Sequence, residues 1–431
     1  MLVDFTVANF RSIKEPVTLS AIATGRSTGS GKSGAASARY LTDEQIAPAR
    51  PVEGHGVSLL PALAIFGANA SGKSNVIRAL SELLLLASGR RDSDRDALRG
   101  IVPFKLDAPT RKAPTEFQIR VAAGEAVFTY EIHVDASRVW KEQLDYALKP
   151  PRRSRLLYRR QWLPEREQYR WKNGEDFLGA HTQLQEALRP QQPYLGLLVK
   201  QLQVEVVEPL RDWLFSTGPC WCPEDEAALL RWTTYNASEH PEFLVSLNQL
   251  VRSSDTGIDR VGLQPRKRVV GPDGWEDLEL IVTRSGNDGL VSWGMSEESA
   301  GTQRLVALSY ALLLSLRHGG VCLIDELDAS LHPHLARRIV RMFQDPATNP
   351  NGAQLVFTSH DATLHDGETL RRDQTWFTQK REDGSTELYS LSDFKVRRDL
   401  AIERAYLDGR FGAVPVLPPI TQMLSEPEKA A

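Results

Sequence analysis

Gly67-Ala-Asn69-Ala-Ser71-Gly72-Lys73-Ser74 follows the apolar run Leu59-Leu-Pro-Ala-Leu-Ala-Ile-Phe66 and leads into Asn75-Val-Ile-Arg-Ala-Leu-Ser-Glu-Leu-Leu-Leu-Leu86. A buried strand, a glycine-rich turn and an apolar-periodic helix, in that order, make a P-loop in the context the motif requires. The spacing predicts a nucleoside triphosphate site. Gly67 and Gly72 let backbone N–H groups turn inward around the β-phosphate, and the helix start adds partial positive charge. Lys73 reaches the β- and γ-phosphates and Ser74 ligates Mg²⁺, while Asn69, Ser71 and Asn75 complete the candidate contacts. A similar stretch upstream, Gly29-Ser-Gly31-Lys32-Ser33, has Arg26 where the first glycine of the pattern belongs. It also lacks a preceding strand and a following helix, so it reads as a surface loop.

The 431 residues suffice for two or three compact units, and 41% hydrophobic residues with nine Trp supply a substantial core. A net charge of −3 makes no global demand for nucleic acid or an acidic membrane, so either partner would need a local patch. Three cysteines give neither a disulfide framework nor a zinc pattern, and Cys220-Trp-Cys222 reads as packing in a reducing compartment. The chain opens with strand-like alternation rather than a basic segment and an apolar core, and its longest apolar run, residues 305–316, is too short to span a bilayer. The expectation is a cytoplasmic protein without a membrane partner.

Val321-Cys-Leu-Ile-Asp325-Glu326 reads as a buried strand ending in two carboxylates, the Walker B pattern. Asp325 would hold the Mg²⁺ shell and Glu326 would orient and polarise the attacking water. Three more segments surround it. Ser299-Ala-Gly301-Thr-Gln303-Arg-Leu305 opens the preceding helix, Leu327-Asp328-Ala-Ser330-Leu-His332-Pro333 follows, and Gln354-Leu-Val-Phe-Thr-Ser-His360-Asp361 closes the array on another apolar strand. Taken singly, Ser299-Ala-Gly301 is an ordinary helix cap and His360 a core histidine. In this order they are similar to the ABC-type ATPases of the SMC, RecF and RecN class. The resemblance implies that Ser299 and Gly301 act on a partner head's γ-phosphate, that Asp328 lies at the dimer seam, that His360 is the switch histidine, and that catalysis needs a homodimer or higher oligomer.

A narrower resemblance spans most of the chain. Asn9-Phe-Arg11-Ser-Ile13, Glu15-Pro-Val-Thr-Leu19, Pro103-Phe-Lys-Leu-Asp107, Pro114-Thr-Glu-Phe117, Asp255-Thr-Gly-Ile258 and Tyr406-Leu-Asp-Gly-Arg-Phe-Gly-Ala-Val-Pro415 look like the prokaryotic OLD/RloA-like ATPases. By that resemblance Arg11 touches the nucleotide phosphates, and the chain serves in phage defence beside a separately encoded nuclease or toxin. OLD-type nucleases add a metal-binding Toprim domain after the last ATPase strand. Here 71 residues follow His360 and contain no Asp-x-Asp, so an effector would come from another polypeptide. Gln118 is only a candidate for the Q-loop residue.

The implied fold class is α/β: an ABC-type P-loop ATPase head with a mixed sheet, flanking helices and an antiparallel β subdomain, plus an inserted, mainly helical lid. Residues 1–149 would form the first half of the head, 150–257 the lid, and 258–431 the second half. Prolines at 109, 114, 150, 151, 164, 190 and 193 exclude a long coiled coil. Residues 117–122 and 127–134 alternate as a hairpin, and residues 274–282 return as a strand. The basic run Lys149-Pro-Pro-Arg152-Arg153-Ser-Arg155-Leu-Leu-Tyr158-Arg159-Arg160 suits nucleic acid, but the acids of Pro164-Glu-Arg-Glu-Gln168 favour a salt-bridged face. Arg266-Lys267-Arg268 is a second basic run. Two functions fit: an ATP-dependent sensor of a defence system that controls an effector, or a DNA-repair ATPase acting as a DNA clamp. A transporter subunit fits poorly.

Overall fold

The computed structural model describes residues 1–24, 42–90, 98–148, 153–177, 181–201, 204–218, 220–222, 225–265, 278–396 and 400–415. Its centre is a six-stranded sheet in the order Cys220–Trp221, Val321–Ile324, Gln354–Thr358, Ala62–Gly67, Thr375–Lys380, Thr386–Ser390, parallel except for the last strand. Near-continuous apolar sequence explains why these strands are interior: both faces are covered by helices, as parallel sheets require. The P-loop strand Ala62–Gly67 sits mid-sheet, so the carboxyl ends of Val321–Ile324, Gln354–Thr358 and Ala62–Gly67 converge on one crevice.

A seven-stranded antiparallel sheet lies over this layer, in the order Gln168–Asn173, Arg155–Leu163, Val139–Leu148, Ala126–Val134, Thr115–Ala123, Leu2–Ala8, Val17–Ser20. Between the two sheets runs the helix Lys73–Ala87, whose Val76, Ile77, Leu80, Leu83 and Leu84 share one core with Phe5, Phe117, Phe128, Val321 and Val356. Gln354 staples the layers: its side chain accepts from Leu2 N and donates to Leu2 O and Leu60 O. On the opposite face of the central sheet, the helices Ala300–His318 and Pro333–Gln344 bury Leu305, Leu308, Leu312, Ile339, Val340 and Phe343 against Cys322, Ile324, Leu355 and Phe357. The fold is thus the expected mixed α/β head with an antiparallel β subdomain, and the hairpin of Thr115–Ala123 with Ala126–Val134 forms where the alternation put it.

The segment expected to be helical from residue 150 is corrected at its start. Arg155–Leu163 and Gln168–Asn173 form a hairpin that extends the antiparallel sheet, so that sheet crosses the 149/150 boundary. Period-two alternation decides this. Tyr158 and Arg160 face the interior while Arg155, Arg159 and Gln161 are exposed. The basic run is thereby dispersed. Arg155 pairs with Asp176, Arg159 donates to Gln143 and Arg160 is fully buried, whereas Arg152 and the run 266–268 lie outside the described residues, as does the upstream glycine stretch 29–33.

Helix follows only from His181–Ala187 onward, and it does not stand away from the head. Tyr194–Gln201 and Glu208–Ser216 pack Leu195, Leu198, Leu210 and Trp213 into the core around Lys73–Ala87. Glu226–Glu239 and Pro241–Arg252 join Val306 and a three-stranded sheet (Arg260–Pro265, Leu278–Gly286, Gly289–Gly294) in a smaller cluster. The strand expected over 274–282 is described from Leu278. Among the described residues no helix is long and apolar enough to cross a membrane.

A buried carboxylate locks the first of these helices to the antiparallel sheet. Glu142 Oε1 accepts from Tyr130 OH, Tyr158 OH and Leu195 N, and Oε2 accepts from Tyr194 N, so Glu142 caps the helix Tyr194–Gln201. Arg160 Nε lies 3.1 Å from Glu142 Oε2, and both side chains are fully buried. Removing one partner leaves an uncompensated interior charge. We expect Glu142→Ala to destabilise the fold by about 3–5 kcal/mol in denaturant unfolding, more than exposed Glu116→Ala by well over 2 kcal/mol.

Candidate functional site

The P-loop folds as its glycines dictate. Gly72 adopts φ +112°, closed to most side chains, and a Cβ there would collide with Thr386 Oγ1. Thr386 Oγ1 in turn donates to Ser71 O, and Ser71 Oγ meets Thr378 Oγ1 at 2.6 Å, so the neighbouring strands clamp the loop from one side. Lys73 is buried and its ammonium donates to Gly67 O and Ala68 O at 3.0 and 3.2 Å, curling back over the loop. Burial lowers the Lys73 pKa, against the opposing pull of the Asp325, Glu326 and Asp328 carboxylates. Asn69 is exposed at the loop's mouth.

One hydroxyl holds the Asp325 carboxylate and the Glu326 backbone together. Thr358 Oγ1 donates to Asp325 Oδ1 at 2.7 Å and accepts from Glu326 N at 2.7 Å. Asp325 Oδ1 also accepts from Ser74 Oγ at 3.1 Å, which brings the start of the P-loop helix and the end of the Walker B strand together. A serine hydroxyl and a carboxylate converging this closely form the hard-oxygen donor pair that suits Mg²⁺, so these residues fit the metal the motif implies. Glu326 adopts φ +53°, a left-handed conformation costly for a residue with a side chain. Its carboxylate makes no hydrogen bond or ion pair among the described residues.

His360 follows the strand Gln354–Thr358, and its N–H donates to both Asp328 oxygens at 3.3 and 3.2 Å. Its imidazole is pushed toward the neutral form by partial burial first and Lys73's charge second, against the pull of Asp328, Glu326 and Asp325. Lys73, Ser74, Asp325, Glu326, Asp328 and His360 therefore form one constellation.

Asn75, in the first turn of the helix Lys73–Ala87, meets the turn that carries Arg11 and Ser12 after the strand Leu2–Ala8 of the antiparallel sheet. Asn75 Nδ2 donates to Ser12 Oγ, which also meets Thr386 Oγ1 at 2.7 Å, while Arg11 sits at φ +51° with its buried Nε lacking a hydrogen-bond partner among the described residues. An idle buried guanidinium nitrogen beside a P-loop suits an anionic group. Asn9 explains why three distant segments travel together: its side chain donates to Thr110 O, Ala113 O and Pro114 O and accepts from Phe104 N.

Ser299 and Gly301 stand apart from this group. Ser299 caps the helix Ala300–His318 through Thr302 N, is exposed, and shares no hydrogen bond with the P-loop among the described residues. Gly301 backs onto the loop after Walker B, where a Cβ would come within 2.8 Å of Ser330 O. Gln118 is exposed on the outer face of its strand, between Thr6 and Glu131. Sequence reasoning missed Thr358, Ser12 and Thr386. Their signal is positional: small hydroxyl residues at the carboxyl end of one strand, at the foot of another, and in a turn beside the first.

The family profile described as "AAA domain, putative AbiEii toxin, Type IV TA system" matches residues 63–366, well over half the chain. The chain belongs to that family. Within it, this AAA chain is a nucleotide-binding ATPase fold, and ATPases of this kind use ATP and Mg²⁺. No curated protein matches it. Solved structures that resemble it include an Smc head bound to the C-winged helix domain of ScpA (13% identity, 90% of this chain and 97% of that one, TM-score 0.42). An SMC head domain from Thermotoga maritima is 11% identical over 90% and 98% of the chains, with a TM-score of 0.40. An Smc head with an extended coiled coil, bound to the C-terminal domain of ScpA from Pyrococcus furiosus, is 12% identical over 95% and 98%, with a TM-score of 0.33. At these scores the likeness is loose.

Thr358→Val removes the hydroxyl that joins the Asp325 carboxylate to the Glu326 backbone and leaves the half-buried Glu326 N without that partner. We expect a loss of about 1–3 kcal/mol in urea unfolding, whereas Thr363→Val, at a hydroxyl already lacking a hydrogen bond, changes stability by under about 0.5 kcal/mol.

Proposed function

We propose that this chain is an ATP-binding and ATP-hydrolysing head that works as a nucleotide-gated homodimer or higher oligomer. The observation that carries the reading is the 3.1 Å contact between Ser74 Oγ and Asp325 Oδ1, with Glu326 anchored beside it by Thr358. Lys73 binds the β- and γ-phosphates, the loop from Gly67 through Asn69, Ser71 and Gly72 wraps them, and Arg11 and Asn75 flank them. Bound Mg²⁺, held by Ser74 and Asp325, supplies charge neutralisation to the phosphates. Glu326 orients and polarises the attacking water, and His360, held near-neutral, contacts the γ-phosphate as a hydrogen-bond donor.

Ser299 and Gly301 serve the partner head. A capped helix start, exposed and apart from its own P-loop, is suited to a γ-phosphate presented from outside. Asp328, tied to the backbone of His360, then lies at the seam and links dimer contact to the switch histidine.

At the cellular level we infer a cytoplasmic, OLD/RloA-like sensor or scaffold of a prokaryotic anti-phage defence system, controlling a separately encoded nuclease or toxin. The family's toxin–antitoxin description favours a two-component arrangement. The basic run argues against a DNA clamp as the main role, since Arg155 is paired to Asp176 and Arg160 is consumed by Glu142.

Lys73→Ala is expected to lower affinity for a fluorescent ATP analogue at least about 100-fold, while Glu326→Gln binds normally, hydrolyses at least about 100-fold more slowly and elutes as a dimer with ATP on size-exclusion chromatography. Robust turnover by Glu326→Gln would reject its role. Affinity purification of tagged Glu326→Gln protein with ATP from its native cell tests the wider reading. A stoichiometric protein encoded nearby supports the sensor; nuclease-sensitive DNA without protein supports the clamp instead.

A further inference from the structure

The helix Ala300–His318 carries a buried cation that none of the preceding roles uses. Gly301 and Arg304, three residues apart, lie on one face of that helix. Gly301 rests on Ser330 O, as described, and Arg304 rests one turn further along against the end of the edge strand Cys220–Trp221. Arg304 is 1% exposed. Its Nη1 donates to Cys222 O at 3.4 Å, and its Nε and Nη2 have no hydrogen-bond partner among the described residues. Burial lowers its pKa, against the opposing charges of Glu226, Cys222, Glu326 and Asp225.

A buried guanidinium with two idle nitrogens is an expensive arrangement unless an anion reaches it in some state of the molecule. Asp225 is already engaged, its Oδ2 accepting from Cys222 N. Glu326 is different. Its main chain is pinned to Thr358 in a left-handed conformation, yet its carboxylate is unpartnered among the described residues, so the side chain can swing while the backbone stays fixed. Glu226 is the competing carboxylate, carried on the helix Glu226–Glu239.

We propose that Arg304 is a positioning residue that couples the signature loop to Glu326 of the same head, its Nε and Nη2 seating one Glu326 oxygen when the helix Ala300–His318 docks on the partner head's nucleotide. The other oxygen then faces the attacking water. This rests on the dimeric ATPase reading, and it makes one helix the carrier of two messages. Its first turn meets the partner's phosphate and its second sets the geometry of its own catalytic carboxylate, so neither site turns over until both are engaged.

Arg304→Met is the primary test, because a buried ion is often replaced by an apolar side chain of similar length without loss of fold. Arg304→Lys keeps the charge and guards against misfolding of the Met variant, and Glu226→Gln controls for the competing carboxylate. Wild type is measured first: if it neither hydrolyses ATP nor dimerises with a non-hydrolysable analogue, the dimeric reading falls and this proposal with it. If wild type does both, the variants judge Arg304 alone. We expect Arg304→Met to bind a fluorescent ATP analogue within about twofold of wild type and to keep KM, but to lose about 10- to 100-fold in kcat, with Arg304→Lys recovering part and Glu226→Gln staying within about twofold.

The decisive readout is the dimer dissociation constant with the analogue, by analytical ultracentrifugation, with and without Glu326→Gln. Arg304→Met should weaken the dimer about fivefold or more when Glu326 is present and clearly less in the Glu326→Gln background. Equal weakening in both backgrounds, unchanged kcat, or a Glu226→Gln effect matching that of Arg304→Met would overturn the proposal.

Discussion

One hydroxyl, that of Thr358, sets the geometry on which the site depends. It donates to Asp325 Oδ1 and accepts from Glu326 N, so one side chain fixes the carboxylate of the first residue and the backbone of the next. Without that bridge, like charges on neighbouring residues would separate as solvation preferred. With it, Asp325 turns toward Ser74 while Glu326 is left with an anchored backbone and an uncommitted side chain. The residue lies on Gln354–Thr358, the strand between the Walker B strand and the P-loop strand, and register fixes it there: Thr358 is opposite Ile65, and Phe357 opposite Ile324. Sheet pairing thus aligns the chemistry, and the burial of Leu355, Val356 and Phe357 aligns the sheet.

The second constraint joins the two sheets. Gln354 reaches the first strand of the antiparallel layer, Asn9 gathers the segments around 104, 110 and 114, and Ser12 links that layer to Asn75 and Thr386. Each is a polar side chain spending its whole hydrogen-bonding capacity on a long-range contact. The P-loop is consequently walled by the antiparallel sheet on one side and by Thr378 and Thr386 on the other.

Much of this was legible in the sequence because it is local. The P-loop, the Walker B strand, the capped helix at Ser299 and the strand before His360 are each defined by contiguous residues whose pattern follows from backbone geometry. What was misread was decided at a distance. Residues 155–173 carry alternation that fits a hairpin, but prolines and dense arginines obscured it, and only Glu142 on a neighbouring strand explains why Arg160 turns inward. The helices after residue 181 read correctly as helices, whereas the docking of Tyr194–Gln201 and Glu208–Ser216 against Lys73–Ala87 depends on partners more than a hundred residues away. Thr358 and Arg304 stood in plain view within quoted motifs. Nothing in a linear string marks a threonine as shared between two acids, or an arginine as buried and idle.

The two-residue strand Cys220–Trp221 has a mechanical meaning. It comes from the long stretch between the two halves of the head, yet it pairs in parallel with Val321–Ile324, and the amide of Asp325 donates to Trp221 O at 2.8 Å. The intervening segment is therefore stitched directly to the strand that carries Asp325. At the other end of that strand Val321 N donates to Thr217 Oγ1 at 3.1 Å, so the chain between Glu208–Ser216 and Glu226–Glu239 holds the strand beneath Asp325 at both ends, and a displacement of one is shared by the other.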